Sequence, residues 1–232
     1  EKTIHQALSY WFDAKLVCPN WWYNQIGVPK TLGAAVLLFE DRLTETERVA
    51  AIEVLGQSKF GMTGQNKVWL AGNVLVKAML EGDMAEIAKA QQQIVSEIRI
   101  GEGRNEGIKA DYSFHQHGAQ QQFGNYGAAF VATTSFWAKV FSNTSYAIAQ
   151  DKLDILCSLV TKGYQRVLWK GYLDVNGLGR QFFKQAQRHK ALSIAFSTRM
   201  LAEVDTKNRT FYNQLIADNT LVTGSPKLEG YY

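Results

Sequence analysis

Residues 110–130, ADYSFHQHGAQQQFGNYGAAF, carry an unusual density of side chains that form hydrogen bonds without carrying a charge. The stretch holds two His, four Gln, one Asn and two Tyr, whereas Asp111 is its single acidic residue and Lys and Arg do not occur. Such a composition is too polar for a core and too uncharged for an ordinary solvated face. The stretch is therefore a candidate functional segment.

Three familiar kinds of site fit this segment weakly. Asp111, His115 and His117 could contact a metal ion, but no H-E-x-x-H motif occurs, and we expect no metal site. Ser113 lies near the two His in sequence but has no G-x-S-x-G elbow. Asp111 and Asp174 could form the carboxylate pair of a glycosidase, although their surroundings are otherwise poor in acids.

Proton abstraction next to a carboxylate fits the composition better. The C5 proton of a uronic acid sugar is weakly acidic because it lies beside the carboxyl group, and its removal builds negative charge on that group. Neutral or cationic donors must take up this charge, which nearby acids would oppose. A Tyr or a His can collect the proton and pass one to the leaving oxygen. Beyond the segment, Asn66 in TGQNK and Arg180 in GLGRQ offer an amide and a cation.

Helical periodicity dominates the chain that must position these residues. Thr44 and Glu47 form a capping-box pattern, and Gly82 marks a helix end. Only YLDVNGLGRQFF could give a short extended piece. We predict an all-α domain of antiparallel helical hairpins over residues 1–232. The nine helical segments are HQALSYWFDAKL, VPKTLGAAVLLFEDRL, TETERVAAIEVL, NKVWLAGNVLVKAMLEGD, MAEIAKAQQQIVSEIRI, GAAFVATTSFWAKVF, YAIAQDKLDILCSLVTKGYQRVLW, KQAQRHKALSIAFSTRMLAEV and KNRTFYNQLIA.

Composition limits the class of protein. With 232 residues, 46% of them hydrophobic and 20% charged, the chain is globular, and no apolar run is long enough to span a bilayer. Its first residues, EKTIHQALSYWF, predict an amphipathic helix, and we expect no signal peptide within them. The net charge is +4, but residues 162–209 hold ten Lys or Arg against three acids, which suits an anionic partner or a solvated face. No motif for nucleic-acid recognition occurs. The two cysteines, Cys18 and Cys157, could be paired in a disulfide or free.

Four motifs occur in the order seen in polysaccharide lyase family 8, which the chain resembles from about Trp11 to Tyr232. They are NWWYNQIGVPKTLGAAVLL, TGQNK, DYSFHQHGAQQQFGNYG and NGLGR. The family includes chondroitin AC, hyaluronate and xanthan lyases, and the third motif is most similar to the chondroitin AC type. The resemblance implies an incomplete α/α toroid, followed in complete members by β-sandwich domains. It also implies a secreted or periplasmic enzyme, of which this chain, ending at KLEGYY, is the α-domain.

The resemblance implies roles for particular residues. Asn66 would hold and neutralise the uronate carboxylate, and His117 would assist in binding it or in proton abstraction. Tyr126 would be the general base and acid. Arg180 would hold the sugar and favour the deprotonated phenol, because a free Tyr titrates near ~10. The expected substrate contacts are Trp21 and Trp22, which would stack on sugar rings, together with Lys184 and, inferred from the residues alone, Gln120 in the Gln run.

This sequence departs from the family pattern at two positions. His115 stands where the motif usually has an apolar residue, so two His occur close together. Lys184 stands where the family often has a second Arg, and a point charge thus replaces a bidentate fork. In some family members a Glu from the following β domain also belongs to the active site, and we expect the corresponding residue to lie outside residues 1–232.

We therefore expect β-elimination on an acidic polysaccharide by a monomer that uses no cofactor and has no membrane or nucleic-acid partner. The α-domain alone should turn over poorly. Two other functions stay open: an acidic-glycan-binding toroid without turnover, and a toroidal glycoside hydrolase that uses Asp111 and Asp174. Structural roles are also open for the site residues, with Asn66 as a helix N-cap, Tyr126 as a buried core Tyr, and one of Trp21 and Trp22 in the core.

Overall fold

The computed structural model describes residues 1–220, most of which are helical, as predicted. The predicted junction with a β domain at KLEGYY, residues 227–232, lies outside the described residues. The chain forms two compact units, one of residues 1–96 and one that begins at Glu97. Within the described range, no helix is long and apolar enough to cross a membrane.

The first unit is helical. Three of its helices contribute to one hydrophobic core cluster, formed by buried Val36, Ala51, Leu55 and Leu80. Ala51 and Leu55 are one turn apart on one helix and therefore share its buried face. The helices of this unit are α1 (Lys2–Ala14), α2 (Val28–Leu38), α3 (Glu45–Leu55), α4 (Gly64–Glu81) and α5 (Met84–Ser96).

Two helix ends predicted from the sequence are confirmed in this unit. The hydroxyl of Thr44 accepts a hydrogen bond from the Glu47 amide at 3.2 Å, and the Glu47 carboxylate accepts one from the Thr44 amide at 2.8 Å. This reciprocal capping box begins α3. Gly82 ends α4 in the left-handed conformation, with φ +69°, which glycine adopts without steric strain.

The second unit combines four helices with two small sheets among its described residues. α6 and α9 both pack against α8. The helices are α6 (Ala128–Phe141), α7 (Gln150–Ser158), α8 (Ala186–Val204) and α9 (Arg209–Thr220).

The small sheets were not predicted, apart from the extended piece that contains Tyr172. Strands β1 (Gly107–Ile108), β2 (Phe114–Gln116) and β3 (Gln120–Gln121) pair antiparallel in that order. β4 (Leu168–Trp169) and β5 (Tyr172–Leu173) form a hairpin, whose turn residues Lys170 and Gly171 both have positive φ, as a type I′ turn requires. Because each strand has only two or three residues, the fold remains mostly helical.

One predicted helix is shorter than expected. The segment from Tyr146 to Trp169 reads as one helix, but α7 ends at Ser158 and the chain continues as a π-helical turn, Leu159–Gly163. A Cβ atom on Gly163 would overlap the Tyr112 carbonyl. The next residue, Tyr164, is fully buried and donates its hydroxyl to the Phe123 carbonyl at 2.8 Å. Packing against residues 112–123 thus outweighs helix propensity here.

Candidate active site

The neutral polar segment folds as β2, β3 and a π-helical turn, Phe123–Gly127, that leads directly into α6. Isolated π-helical turns are rare and are frequent at functional sites. Tyr126 lies on this turn and is 7% exposed. His117 follows β2 and is exposed. The segment therefore holds Tyr126 on a π-helical turn and His117 in the short turn between β2 and β3, rather than both on one long loop.

His117 and Tyr126 are in direct contact. The Nε2 atom of His117 lies 3.0 Å from the Tyr126 hydroxyl oxygen, and the two rings meet edge to face with centroids 5.0 Å apart. Which atom donates depends on the tautomer of the imidazole, since a neutral ring has one donor and one acceptor nitrogen. The arrangement allows a proton to pass between the phenol and the imidazole.

The backbone at His117 is unusual, and a residue that the sequence analysis missed holds it. His117 has φ +56°, in the left-handed region that non-glycine residues seldom adopt. The carboxylate of Glu106 accepts a hydrogen bond from the His117 amide at 2.7 Å. The sequence offered one signal for this contact: an acid in a Gly-rich stretch, GEGRNEG, just before a polar segment with almost no acids.

The turn that carries Tyr126 is packed against the loop that carries Arg180. A Cβ atom on Gly124 would lie 2.6 Å from the Gly177 carbonyl oxygen and 2.7 Å from the Cα of Leu178. On the other side of the turn, a Cβ atom on Gly127 would lie 2.7 Å from the Tyr164 hydroxyl. Real Cβ atoms do not approach other atoms so closely, so both glycines are required by packing.

Arg180 directly follows this contact. Gly179 has φ +65°, and a Cβ atom on it would lie 3.7 Å from the Cβ of Asn125, the residue before Tyr126. Arg180 itself is exposed in a turn, and so is Lys184 four residues later. The structure thus brings the Arg180 loop to the turn of Tyr126 and leaves both cations open to solvent.

Several buried amide atoms around this turn have no hydrogen-bond partner within the described residues. They are the Oε1 atom of Gln122, the Nδ2 atom of Asn125 and the Oε1 atom of Gln181. Gln120 is exposed on β3, and its Oε1 atom accepts a long hydrogen bond of 3.4 Å from Gln122. Unsatisfied buried polar atoms are uncommon in native proteins and mark places where a polar ligand or water can bind.

Asn66 belongs to the first unit. It is 7% exposed and lies in the first turn of α4, and its Oδ1 atom is buried without a partner in the described residues. The N-cap of α4 is Thr63. The structural alternative of Asn66 as an N-cap is therefore wrong, because the residue lies three positions inside the helix boundary.

The two candidate stacking residues differ in their surroundings. Trp21 is 44% exposed, whereas Trp22 is half-buried and meets Trp69 edge to face, with centroids 5.5 Å apart. Trp69 lies three residues after Asn66 on α4, and positions so spaced are neighbours on a helix surface. Within the first unit, Trp22 is thereby placed on the Asn66 side of α4, and Trp21 is the ring available to solvent.

His115 belongs to a separate hydrogen-bonded chain. Ser113 donates its hydroxyl to Asp111 at 2.7 Å, and His115 Nε2 lies 3.1 Å from the same hydroxyl. With the serine proton directed to Asp111, the imidazole can only donate to Ser113, so it cannot activate that serine as a nucleophile. Burial lowers the pKa of His115 below 6.5, and nearby Lys109 lowers it further.

Asp111 and Asp174, the carboxylates of the hydrolase alternative, each accept a hydrogen bond from the backbone amide two residues later in a turn. Asp111 accepts hydrogen bonds from the backbone and side chain of Ser113, and these lower its pKa. Asp174 accepts from the Asn176 amide at 2.7 Å.

Residues 1–220 contain no cluster of three His, Cys, Asp or Glu side chains suited to a metal ion. Cys18 and Cys157 are free thiols.

Comparisons with known proteins agree with the helical architecture. Residues 1–217 match the N-terminal alpha-helical domain of polysaccharide lyase family 8, and the chain belongs to this family. It is 28% identical to chondroitinase-AC of Pedobacter heparinus over 237 residues, which covers 99% of this chain and 33% of that protein. It is 25% identical to xanthan lyase of Bacillus sp. (strain GL1), covering 73% of this chain and 19% of that protein.

Solved structures of family members are similar in fold. A chondroitinase AC lyase, studied as enzyme–oligosaccharide complexes, matches with a TM-score of 0.85 and 26% identity, covering 95% of this chain and 33% of that one. The xanthan lyase of Paenibacillus matches with a TM-score of 0.75 and 20% identity, covering 95% of this chain and 25% of that one. The chain therefore spans a third or less of the length of these relatives.

Proposed function

We propose that this chain is the catalytic α-domain of a lyase that cleaves a uronic-acid-containing polysaccharide, of the chondroitin, hyaluronan or xanthan kind, by β-elimination. The observation that carries the proposal is the 3.0 Å contact between His117 Nε2 and the Tyr126 hydroxyl, in a segment almost without acids. Family membership and the lyase activities named for its relatives support it.

The proposed reaction breaks the C5–H and C4–O bonds of the uronate and moves the C5 proton to the leaving oxygen. Tyr126, as the phenolate, removes the C5 proton of the uronate, and the electron pair is delocalised onto the carboxylate. Collapse of this anion forms the C4–C5 double bond and expels the C4 oxygen with its sugar chain. The Tyr126 hydroxyl, now protonated, returns its proton to that oxygen. Sugar and enzyme thus end with balanced protons and no cofactor.

In the proposed mechanism, the negative charge that develops on the uronate carboxylate is stabilised by Asn66, His117 and Arg180. A carboxylate that gains charge needs donors fixed in advance, and such donors are most effective where water is excluded. Asn66 is buried, and its amide nitrogen would be the donor to the carboxylate. Arg180 would supply a cation on the loop packed against the Tyr126 turn.

Amide side chains and aromatic rings would bind the neutral parts of the sugar. The unpartnered amide atoms of Gln122, Asn125 and Gln181 suit sugar hydroxyls, and exposed Gln120 can add further hydrogen bonds. Trp21 presents an exposed ring on which a sugar can stack. Trp22 would border the same groove, and Lys184 would act as a point charge for a carboxylate or a sulfate.

The larger organisation is part of the same proposal. The helical hairpins would form an incomplete α/α toroid, residues 1–232 would act as one domain, and β-sandwich domains would follow. We further propose a secreted or periplasmic monomer. The α-domain alone would bind acidic oligosaccharides weakly and turn them over slowly, because one wall of the cleft would be missing.

Ultraviolet absorbance tests the proposal. The protein, expressed with whatever sequence flanks the chain in its gene, would be incubated with chondroitin, hyaluronan and xanthan. Elimination leaves an unsaturated uronic acid that absorbs in the ultraviolet, so absorbance should rise as chain length falls. Shortening without new absorbance would mean hydrolysis. Binding without shortening would mean a glycan-binding module, and either result would refute the lyase proposal.

A further inference from the structure

The carboxylate of Glu106 contacts the end of β2 and the turn that joins β2 to β3. It accepts hydrogen bonds from the His117 amide at 2.7 Å and from the Gly118 amide at 3.4 Å. It also accepts one from the side-chain nitrogen of Gln116. Glu106 itself is half-buried and directly precedes β1, the strand that pairs with β2.

The backbone of this turn is suited to an anion. His117 and Gly118 are consecutive residues with positive φ, +56° and +76°. Successive backbone amides in a turn can converge on one anion, as in the backbone nests that bind phosphate. Here a side chain of the same protein occupies the position of the anion.

The conformation of His117 needs such compensation. A non-glycine residue held in the left-handed region is strained by about 1 kcal/mol or more, and it persists only where its surroundings over-determine it. At Gly118 the same conformation carries no such strain. The charge-assisted bond from the His117 amide to Glu106 therefore stabilises the less favourable of the two residues.

Backbone conformation decides where the His117 ring lies. A change from the left-handed to the extended region would redirect its Cα–Cβ bond and remove Nε2 from its place 3.0 Å from the Tyr126 hydroxyl. We propose that Glu106 is a positioning residue that holds the His117 imidazole on Tyr126. The inference rests on the proposed function, since it says which residue fixes the position of the His117 ring in that site.

Loss of the Glu106 carboxylate should lower kcat rather than weaken substrate binding. Small misplacements of a group that takes part in proton transfer can lower the rate by about 10²-fold. We expect Glu106→Ala to reduce kcat by about 10- to 100-fold with KM little changed. Glu106→Gln keeps an oxygen that can accept from the His117 amide, and it should recover most of this loss. Glu102→Ala is the matched control, because Glu102 is an exposed acid in the same loop.

A double-mutant cycle separates positioning from a general structural role. His117→Asn is a suitable background, since Asn tolerates positive φ and removes the imidazole. If Glu106 acts through His117, adding Glu106→Ala to this background should change kcat by less than about threefold. An equal loss of kcat in both backgrounds would overturn the proposal, and so would a loss that tracks a fall in Tm alone.

A second readout does not depend on turnover. Nuclear Overhauser contacts between the His117 and Tyr126 rings, measured in protein with isotope-labelled His and Tyr, report the contact directly. They should be present in the wild-type protein and in Glu102→Ala, and lost or weakened in Glu106→Ala. Their persistence in Glu106→Ala would overturn the positioning role. Wild-type protein without turnover on any uronate polysaccharide would refute the lyase proposal instead, and the ring contacts would still decide the role of Glu106.

Discussion

A Cβ atom on Gly124 would lie 2.6 Å from the carbonyl oxygen of Gly177. This close approach joins two motifs, FGNYG and NGLGR, that are about 50 residues apart in the sequence. The first carries Tyr126 and the second carries Arg180. Because the contact is backbone to backbone, it fixes the distance between the two segments more firmly than flexible side chains could.

Gly124→Ala should disturb both motifs. The added methyl group meets backbone atoms of Gly177 and Leu178, which cannot move without shifting the Arg180 loop. We expect a loss of about 1–3 kcal/mol in the free energy of unfolding, as for other overpacked sites, together with lower turnover. Thermal unfolding and the absorbance assay measure the two effects.

Gly61→Ala serves as the control for this change. Nothing lies within 4 Å of a Cβ atom at Gly61, so the same substitution adds a methyl group without a clash. Stability and turnover should stay near wild type. Equal behaviour of the Gly124 and Gly61 variants would contradict the packing described here.

Tyr126→Phe should abolish elimination and preserve binding. The change removes only the hydroxyl that would move the proton, and general acid–base groups contribute about 10²–10⁴-fold to rate. The aromatic ring and its edge-to-face contact with His117 remain. Initial rates and calorimetric affinity for an acidic oligosaccharide would measure the two properties. Tyr10→Phe, at an exposed position, is the control. A Tyr126→Phe protein with substantial turnover would exclude the phenol as the base.

The two His of the segment should differ in importance. His117 contacts Tyr126, whereas His115 contacts Ser113 in a chain that ends at Asp111. We expect His117→Ala to lower kcat by about 10²-fold or more, and His115→Ala by less than about tenfold. Parallel kinetics of the two variants, with Tm as a check on folding, would measure this. The reverse order would assign the catalytic imidazole to His115.

The capping box of α3 should make stability depend on acid pH. Burial raises the pKa of Glu47, but hydrogen bonds from Thr44 and His5 outweigh it and hold the pKa below 4.5. A carboxyl with a lowered pKa in the folded state stabilises fully above its unfolded value, and this contribution is lost as pH falls through the folded value. Glu47→Gln should therefore cost about 0.5–2 kcal/mol at neutral pH, and less below pH 4.

Denaturant unfolding at several pH values would measure this difference. Glu53→Gln is the matched control, since Glu53 is exposed on the same helix. Its effect on stability should be small at every pH. A Glu47→Gln difference that stayed constant from neutral to acid pH would show that the carboxylate charge does not stabilise the cap.

Local signals in the sequence predicted the helical elements well. The capping box at Thr44 and the glycine end at Gly82 depend on residues close in sequence, and both were found where the pattern indicated. The long helix predicted from Tyr146 failed because its end depends on contacts with Tyr112 and Phe123, which no local pattern records. Tertiary packing overrode propensity there.

In the candidate site, too, features that depend on local sequence were predicted and features that depend on tertiary contacts were missed. Motif order and residue type pointed to His117 and Tyr126, which are in contact in the structure, and their catalytic roles remain predictions. Glu106 was missed because its carboxylate reaches His117 only after β1 and β2 have paired. The left-handed backbone at His117 was missed for a similar reason, since the Glu106 carboxylate that accepts from its amide lies 11 positions earlier in the sequence. The convergence of Asn66 with Tyr126 remains a prediction.

A crystal structure of the Tyr126→Phe protein with a bound uronate oligosaccharide tests the central claim most directly. The account predicts one uronate ring whose carboxylate contacts the Asn66 amide and whose C5 atom faces the ring of residue 126, within about 3 Å of where the hydroxyl would stand or one water away. Arg180 should border the same sugar. A uronate bound away from residue 126, or Asn66 and residue 126 on opposite faces of the protein, would contradict the proposed mechanism.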